Sequence, residues 1–512
     1  MSITPKSNLL ELINSLSTSE KRYLKQFINK SGETKSNHAK LLNAIEKQEV
    51  YDEEKLKKKL KNTTIVKQWS RVKNYLYNYI LRVLQNYYQQ DAEFEILNNL
   101  QQIFLLYKKG IYEDAYKLLM KTKYLVYEGS YPTLLPFIAD WEMRMGHIVH
   151  HRVLESEPIN YEENNQWAID VASNLLFYNK IRVDVMSNKM NKGRYLRMKD
   201  GNEVILNKDI FCSLDLAKSP MAKWSFLSLK NLLYGQQGAY LKGFYEMKKC
   251  MELHEEYPLL EKQTPFSYIT TINNFIIDAI ETENWEDIPF VIEKIDACIK
   301  ENKASTVHVL LTSIKYNALL KTSIGQLNYE KGLEYAELAE EFVAQNEHVT
   351  NMYVQAHLLL HYSAHIYVVK GAYDKALVAI EKLEKIQRIP IFRTAILLLK
   401  LICLYEQDEV LLLPYTLRSV YRNLLGKKDL YGVERIILNL LKAGMKVVSK
   451  EELAKVFQKY LVKLEEYIAS APKEELELLQ HFNYVAWVES KAKQLPLEEV
   501  LERSLGEKAA QK

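Results

Sequence analysis

The sequence predicts an all-α fold, a right-handed superhelical solenoid of antiparallel helix pairs, on three observations. Turn formers are scarce, with 16 Gly and 12 Pro among 512 residues; sheet-rich chains need many tight turns, so long helices are favoured. Apolar residues recur at helical spacing along most of the chain. A short motif also returns at near-constant intervals. Apolar residues make up 47% and charged residues 26%, a globular rather than a disordered composition. The chain is too long for one compact core. Its 35 tyrosines read as gap-filling residues that keep a hydroxyl near water.

Residues 1–90 are expected to form a basic helical head. They hold 17 Lys and Arg against 8 Asp and Glu, a net of +9, so the remainder carries −5 of the overall +4. Ser17 and Glu20 have capping-box spacing, in which each side chain satisfies a free backbone N–H of the other residue. Helices are predicted over 38–48, 52–60 and 66–88. In the last, Trp69, Val72, Leu76, Tyr79, Ile80, Val83 and Tyr87 recur on one face. The helix over 52–60 is strongly basic, and Lys55, Lys57, Lys58, Lys59 and Lys61 form the sharpest charge run in the chain. Lys67, Arg71 and Arg82 lie on the outer face of the long helix. Together these cations are a candidate phosphate-binding strip for nucleic acid. The plainer reading is a solvated helix face of a lysine-rich protein, or a surface for an acidic partner.

From residue 91 onward the repeat takes over. It reads G-I-Y-E-D-A at 110–115 and G-A-Y-D-K-A at 371–376, with weaker copies E-N-W-E-D-I at 283–288 and L-N-Y-E-K-G at 327–332. G-A-Y-L-K-G at 238–243 lacks the acid. The starts at 238, 283, 327 and 371 lie 45, 44 and 44 residues apart. Each part of the motif has a physical task. Gly closes one helix, the aromatic opens the next and packs back, and the acid meets the positive end of the helix dipole. The small residue lets the two helices approach.

Ala364, Tyr367, Gly371, Tyr373, Ala376 and Ile380 resemble the small, aromatic, turn and packing residues of the tetratricopeptide repeat, although the spacing here is about ten residues longer than the usual 34. The resemblance covers 225–390 and extends to 95–130. The chain as a whole is also similar to bacterial helical-repeat proteins, a likeness that implies no activity. By analogy with the tetratricopeptide family, His361 and His365 would line a concave groove, with Asn273 and Asn317 at the matching places in the two preceding repeats. The expected organisation is a head over 1–90, helical repeats over 91–189, an insertion over 190–218, the repeat array over 219–390, and further helices with a cap over 391–512. Within the insertion, alternation around Asp200-Gly201 over 195–206 suggests a small β-hairpin or an ordered loop. A cap is expected because a terminal repeat must cover its apolar face.

Other constellations carry less. His357, His361 and His365 sit four apart, but the outer pair lies about 12 Å apart along a helix and cannot share one ion. His147, His150 and His151 read as a solvated face. Residues 254–258 begin like a zinc-protease motif but lack its second histidine. Phosphate-loop, dinucleotide-binding and nucleophile-elbow motifs are missing. Cys212, Cys250, Cys298 and Cys403 are too scattered for a CxxC metal or redox motif and fit a reducing compartment. Residues 1–16 lack the apolar core of a signal peptide. The apolar run at 391–405 is broken by Arg393 and Lys400 and reads as a buried helix. The sequence therefore points to a cytoplasmic protein without a membrane span, cofactor or catalytic centre. It is expected to hold a peptide or helix of a protein partner in the groove, or alternatively to act as a regulator whose basic head contacts nucleic acid.

Overall fold

A computed structural model describes residues 8–30, 37–48, 52–61, 64–89, 91–153, 160–191, 206, 209–301, 306–346, 352–386, 393–426 and 430–511. The described residues are all-α, with no strand among them. The hairpin expected over 195–206 lies outside the described residues except for Leu206, which is helical. The described residues that follow form two short 3-10 helices, Asp209–Phe211 and Leu214–Leu216. No described helix is long and apolar enough to cross a membrane.

The head contains α1 (Asn8–Ser15), α2 (Thr18–Lys30), α3 (Asn37–Ile45), α4 (Glu53–Lys59) and α5 (Trp69–Tyr87). The capping box forms as read: Ser17 N–H donates to Glu20 Oε2 at 2.6 Å and Glu20 N–H to Ser17 Oγ at 3.2 Å. The other Glu20 oxygen accepts from Tyr88 at 2.7 Å, tying the start of α2 to the end of α5. Asp52 caps α4 by accepting from Lys55 N–H at 2.9 Å. Leu24, Leu41, Leu42, Ile45, Leu56, Leu76 and Ile80 fill one core. Tyr87 is exposed, at the end of its stripe rather than inside it.

Four helices follow: α6 (Ala92–Lys108), α7 (Tyr112–Glu128), α8 (Leu135–Val153) and α9 (Tyr161–Asn191). Beyond them come helix pairs, each with a first and a second member. The first members are α10 (Pro220–Gln236), α13 (Pro265–Glu281), α15 (Thr306–Gly325), α17 (Met352–Val369) and α19 (Arg393–Glu406). The second members are α11 (Tyr240–Glu256), α14 (Asp287–Glu301), α16 (Tyr329–Gln345), α18 (Tyr373–Lys385) and α20 (Leu412–Gly426), with the short α12 (Pro258–Gln263) after α11. Each first helix packs on its own second helix and each second helix on the next first helix, while α13, α15 and α17 also touch in succession. The chain closes with α21 (Gly432–Gly444), α22 (Lys450–Ser470), a 3-10 segment (Lys473–Gln480), α23 (Tyr484–Lys493) and α24 (Leu497–Gln511).

The repeat motif marks one backbone event. At every copy its first residue is left-handed: φ is 76° at Gly110, 71° at Gly238, 58° at Glu283, 55° at Leu327 and 70° at Gly371. The next N–H then donates back to a carbonyl five residues earlier, from Ile111 to Leu106, Ala239 to Tyr234, Asn284 to Ala279, Asn328 to Ser323 and Ala372 to Tyr367, at 2.8–3.0 Å. This Schellman bond satisfies carbonyls that the ended helix leaves free. Asp408 makes the same turn (φ 55°), with Glu409 N–H donating to Leu404 at 3.0 Å. The sequence hid this copy, which has neither glycine nor a following aromatic. Five residues after the turn the chain is small and buried, at Ala115, Gly243, Gly332 and Ala376. A Cβ on Gly332 would stand 3.2 Å from Ile366, so α16 lies close on α17.

One polar clamp joins the earlier helices to the paired ones. Gln263 accepts from Ser130 N–H at 2.9 Å and donates to the Leu125 carbonyl at 3.0 Å, with all these groups buried. The last core is continuous from Leu320 to Leu501, so the closing helices share it with α16–α19.

Left-handed backbone costs an L-residue about 1–2 kcal/mol that glycine does not incur. Glu283 is exposed at such a turn. Glu283→Gly should therefore raise unfolding stability by about 1 kcal/mol, read from the midpoint of urea denaturation; no gain would contradict this account of the turn.

Candidate functional site

The groove expected at α17 is occupied by the chain itself. His361 is 0% exposed and His365 7%. Residues of the closing segment lie on them: the His481 ring sits 5.8 Å from that of His361, and Phe482 5.1 Å from His365. Trp487 Nε1 donates to Glu406 Oε1 at 2.8 Å, and Lys491 pairs with the same carboxylate. Lys370 links Glu330 of α16 to Glu498 of α24 at 2.6 and 2.9 Å. Burial, with His481 adding to it, pushes the His365 imidazole down to about 4, even though a hydrogen bond to the His481 backbone opposes the shift. Burial and the neighbouring histidines hold His361 well below its ordinary value too. These rings are neutral packing groups under the C-terminal segment. A stripe of histidines on a helix does not tell, in sequence, what covers it. Among the described residues no group of three His, Cys, Asp or Glu side chains is arranged to hold a metal.

The two asparagines fare similarly. Asn317 is buried. Asn273 is half-buried and donates to Asn274 at 3.4 Å. Asn274 donates to Asn231 Oδ1 at 3.2 Å, and Asn231 in turn donates to Asp278. Gly243 makes room for this chain, since a Cβ there would lie 2.9 Å from Asp278 Oδ2 and 3.0 Å from Asn231 Nδ2. Burial raises the Asp278 carboxyl to about 7, against the opposing hydrogen bond from Asn231. His361, His365 and Asn317 are thus buried on first helices, while Asn273 is half-buried beside Asn274.

The basic head is partly turned inward. Lys57 and Lys73 both pair with Glu53, at 3.0 and 2.9 Å, across the Trp69 ring. Burial would raise Glu53, but Lys73, Lys57 and Trp69 outweigh it and hold the carboxyl at about 2. Lys57 therefore belongs to the junction of α4 and α5. Leu56 and Leu60 likewise point into the core. Lys55, Lys58, Lys59, Lys61, Lys67, Arg71 and Arg82 remain exposed. Lys55 and Lys59 line an open cavity of about 490 Å³ with Lys47, which the sequence reading did not single out. On α5, Arg71, Tyr75, Asn78 and Arg82 form an exposed row, with Tyr75 49% exposed between the two arginines.

A further surface went unread in the sequence, although the motif register contains it. Seven residues after each left-handed turn, the second helices expose Tyr245, Phe290, Glu334, Val378 and Tyr415. Three residues after the turn Leu241, Glu330 and Asp374 are exposed on second helices and Glu286 and Leu411 immediately before theirs; ten after it, Lys248, Glu293, Glu337, Glu381 and Arg418 are exposed. Offsets of three, seven and ten share one helix face. On α14, α16 and α18 the pattern is acid, centre, acid, with Phe290 and Val378 53% and 51% exposed at two of the centres. Ion pairs bridge neighbouring second helices: Lys375 to Glu337 and Lys382 to Glu340 from α18 to α16, and Lys294 to Glu255 from α14 to α11, all at 2.7–2.8 Å. Glu286, Glu293, Glu334 and Glu381 take no ion pair among the described residues.

No protein-family model, curated protein or solved structure matches this chain.

Asp278 gives a pH signature. In the unfolded chain it ionises near the ordinary value of about 3.9, but in the native chain only near 7. Its protonated form therefore favours folding below pH about 4, and that contribution is lost as pH rises through about 7. Asp278→Asn should match the wild type at about pH 4 and unfold at higher urea concentration at about pH 8. A variant less stable than wild type at the higher pH would show that the ionised carboxylate has support the structure does not provide.

Proposed function

We propose that this protein is a non-catalytic scaffold: a solenoid of tetratricopeptide-like helix pairs that holds a protein partner on the solvent face of its second helices. The observation that carries the reading is the fixed register of exposed side chains on five successive second helices. Large apolar groups at one offset, rimmed by charge, are the composition of an interaction surface rather than of an inert one. Repeats that stack in one direction present such equivalent positions as a continuous row. Tyr and Phe suit this role because they bring contact area at little cost in ordering. The partner's place shifts accordingly from the concave side to the second helices, because His361, His365 and Asn317 are sealed within the packing.

Tyr245→Ala with Phe290→Ala removes two exposed rings, so stability should change by no more than about 0.5 kcal/mol. If both rings are hot spots, each contributes about 2 kcal/mol to binding, roughly thirtyfold in affinity. Capture from a native cell extract, compared between wild type and the double variant by mass spectrometry, should lose specific proteins. An identical set retained by both would reject this face as the binding surface.

A further inference from the structure

The head and the second helices of this chain carry complementary faces. On α14, α16 and α18 the exposed face reads acid, centre, acid at offsets separated by four and three residues. On α5 the exposed row reads Arg71, Tyr75, Asn78, Arg82, at separations of four, three and four. In both rows the first charge lies four residues, about 6 Å, before the central side chain; beyond the centre the second acid follows after three residues, and Arg82 lies one turn past the matching Asn78. One is anionic at its flanks and the other cationic. Tyr75 stands where Phe290 and Val378 stand on the opposing face. The same opposition holds for the whole chain, with +9 over residues 1–90 and −5 over the rest.

We propose that the head of one copy docks, α5 foremost, on the second helices α14–α18 of another copy, with Arg71 and Arg82 against the acidic rows and Tyr75 against Phe290 or Val378. This rests on the reading above that the solvent face of the second helices is a binding surface. The two faces differ, so the contact is head-to-tail, and it builds a ring or an open chain of copies rather than a closed symmetric pair. Opposite charges at an exposed interface chiefly steer association and set its register. Their reach falls from about 30 Å at 0.01 M salt to about 8 Å at 0.15 M. The exposed position of Glu286, Glu334 and Glu381 makes charge reversal there compatible with folding.

The test is sedimentation velocity on the full chain at low and physiological ionic strength. Wild type should self-associate with increasing concentration, and weaken about tenfold or more as salt rises between those limits. A head variant (Arg71→Glu, Arg82→Glu) and a face variant (Glu286→Lys, Glu334→Lys, Glu381→Lys) should each be monomeric alone. Mixed in equal amounts they should associate with each other in alternation, because the native head meets the native face and the reversed head meets the reversed face. Joining all five changes in one chain should restore self-association. Circular dichroism verifies that each variant remains helical. A wild type that stays monomeric at low salt overturns the inference, as does self-association indifferent to both sets of changes. Short duplex or single-stranded nucleic acid bound through Arg71 and Arg82, with no self-association, also overturns it. Loss of captured proteins from the double-alanine variant, alongside a monomeric wild type, would remove the second copy as partner while leaving the scaffold reading intact.

Discussion

The left-handed turn between the members of each helix pair is the constraint on which the rest of the structure depends. A helix that ends inside a packed protein leaves carbonyls that must find donors. Here one residue with positive φ swings the next N–H back to a carbonyl five residues earlier, at Gly110, Gly238, Glu283, Leu327, Gly371 and Asp408 alike. The bond fixes where the second helix starts and at which angle. Everything downstream is then counted from that residue. A buried side chain comes five later, small at four of the six turns and Ile288 or Leu413 at the other two, and an exposed one comes seven later. That Glu283, Leu327 and Asp408 adopt the turn without glycine shows that the surrounding packing enforces it.

Where chemistry is local, the sequence disclosed the structure. The capping box at Ser17 and Glu20, the long amphipathic helix carrying Trp69, and the turns at five motif copies each depend on residues only a few positions apart. What the sequence could not disclose depends on distant segments. His361 and His365 meet residues more than a hundred positions away, and nothing in the spacing of either segment signals the meeting. Asp408 was missed for the opposite reason: its turn is local but lacks the usual residue. The exposed row on the second helices was legible in principle. Tyr245, Phe290 and Val378 fall at one offset from motif starts already identified, but an apolar residue on a helix reads as core until its neighbours are known.

Charge in the head is organised by an acid. Glu53 draws Lys57 and Lys73 together beside the Trp69 ring, and this junction joins the short α4 to α5. A lysine run thus divides into one member with a structural task and several that face solvent. Within the paired helices the same economy appears in Lys370, which ties α16 to α24, and in Lys375 and Lys382, which tie α18 to α16.

The cover over α17 and α19 has a temporal side. Phe482, Trp487 and Leu501 complete a core whose other walls are drawn from buried residues between Leu320 and Leu464. During synthesis α17 and α19 leave the ribosome first, and the covering residues follow roughly 100 positions later. At about 5–20 residues per second, that interval is on the order of 5–20 s. For that time a broad greasy wall faces water on the nascent chain. Burial of this wall therefore waits for α23 and α24.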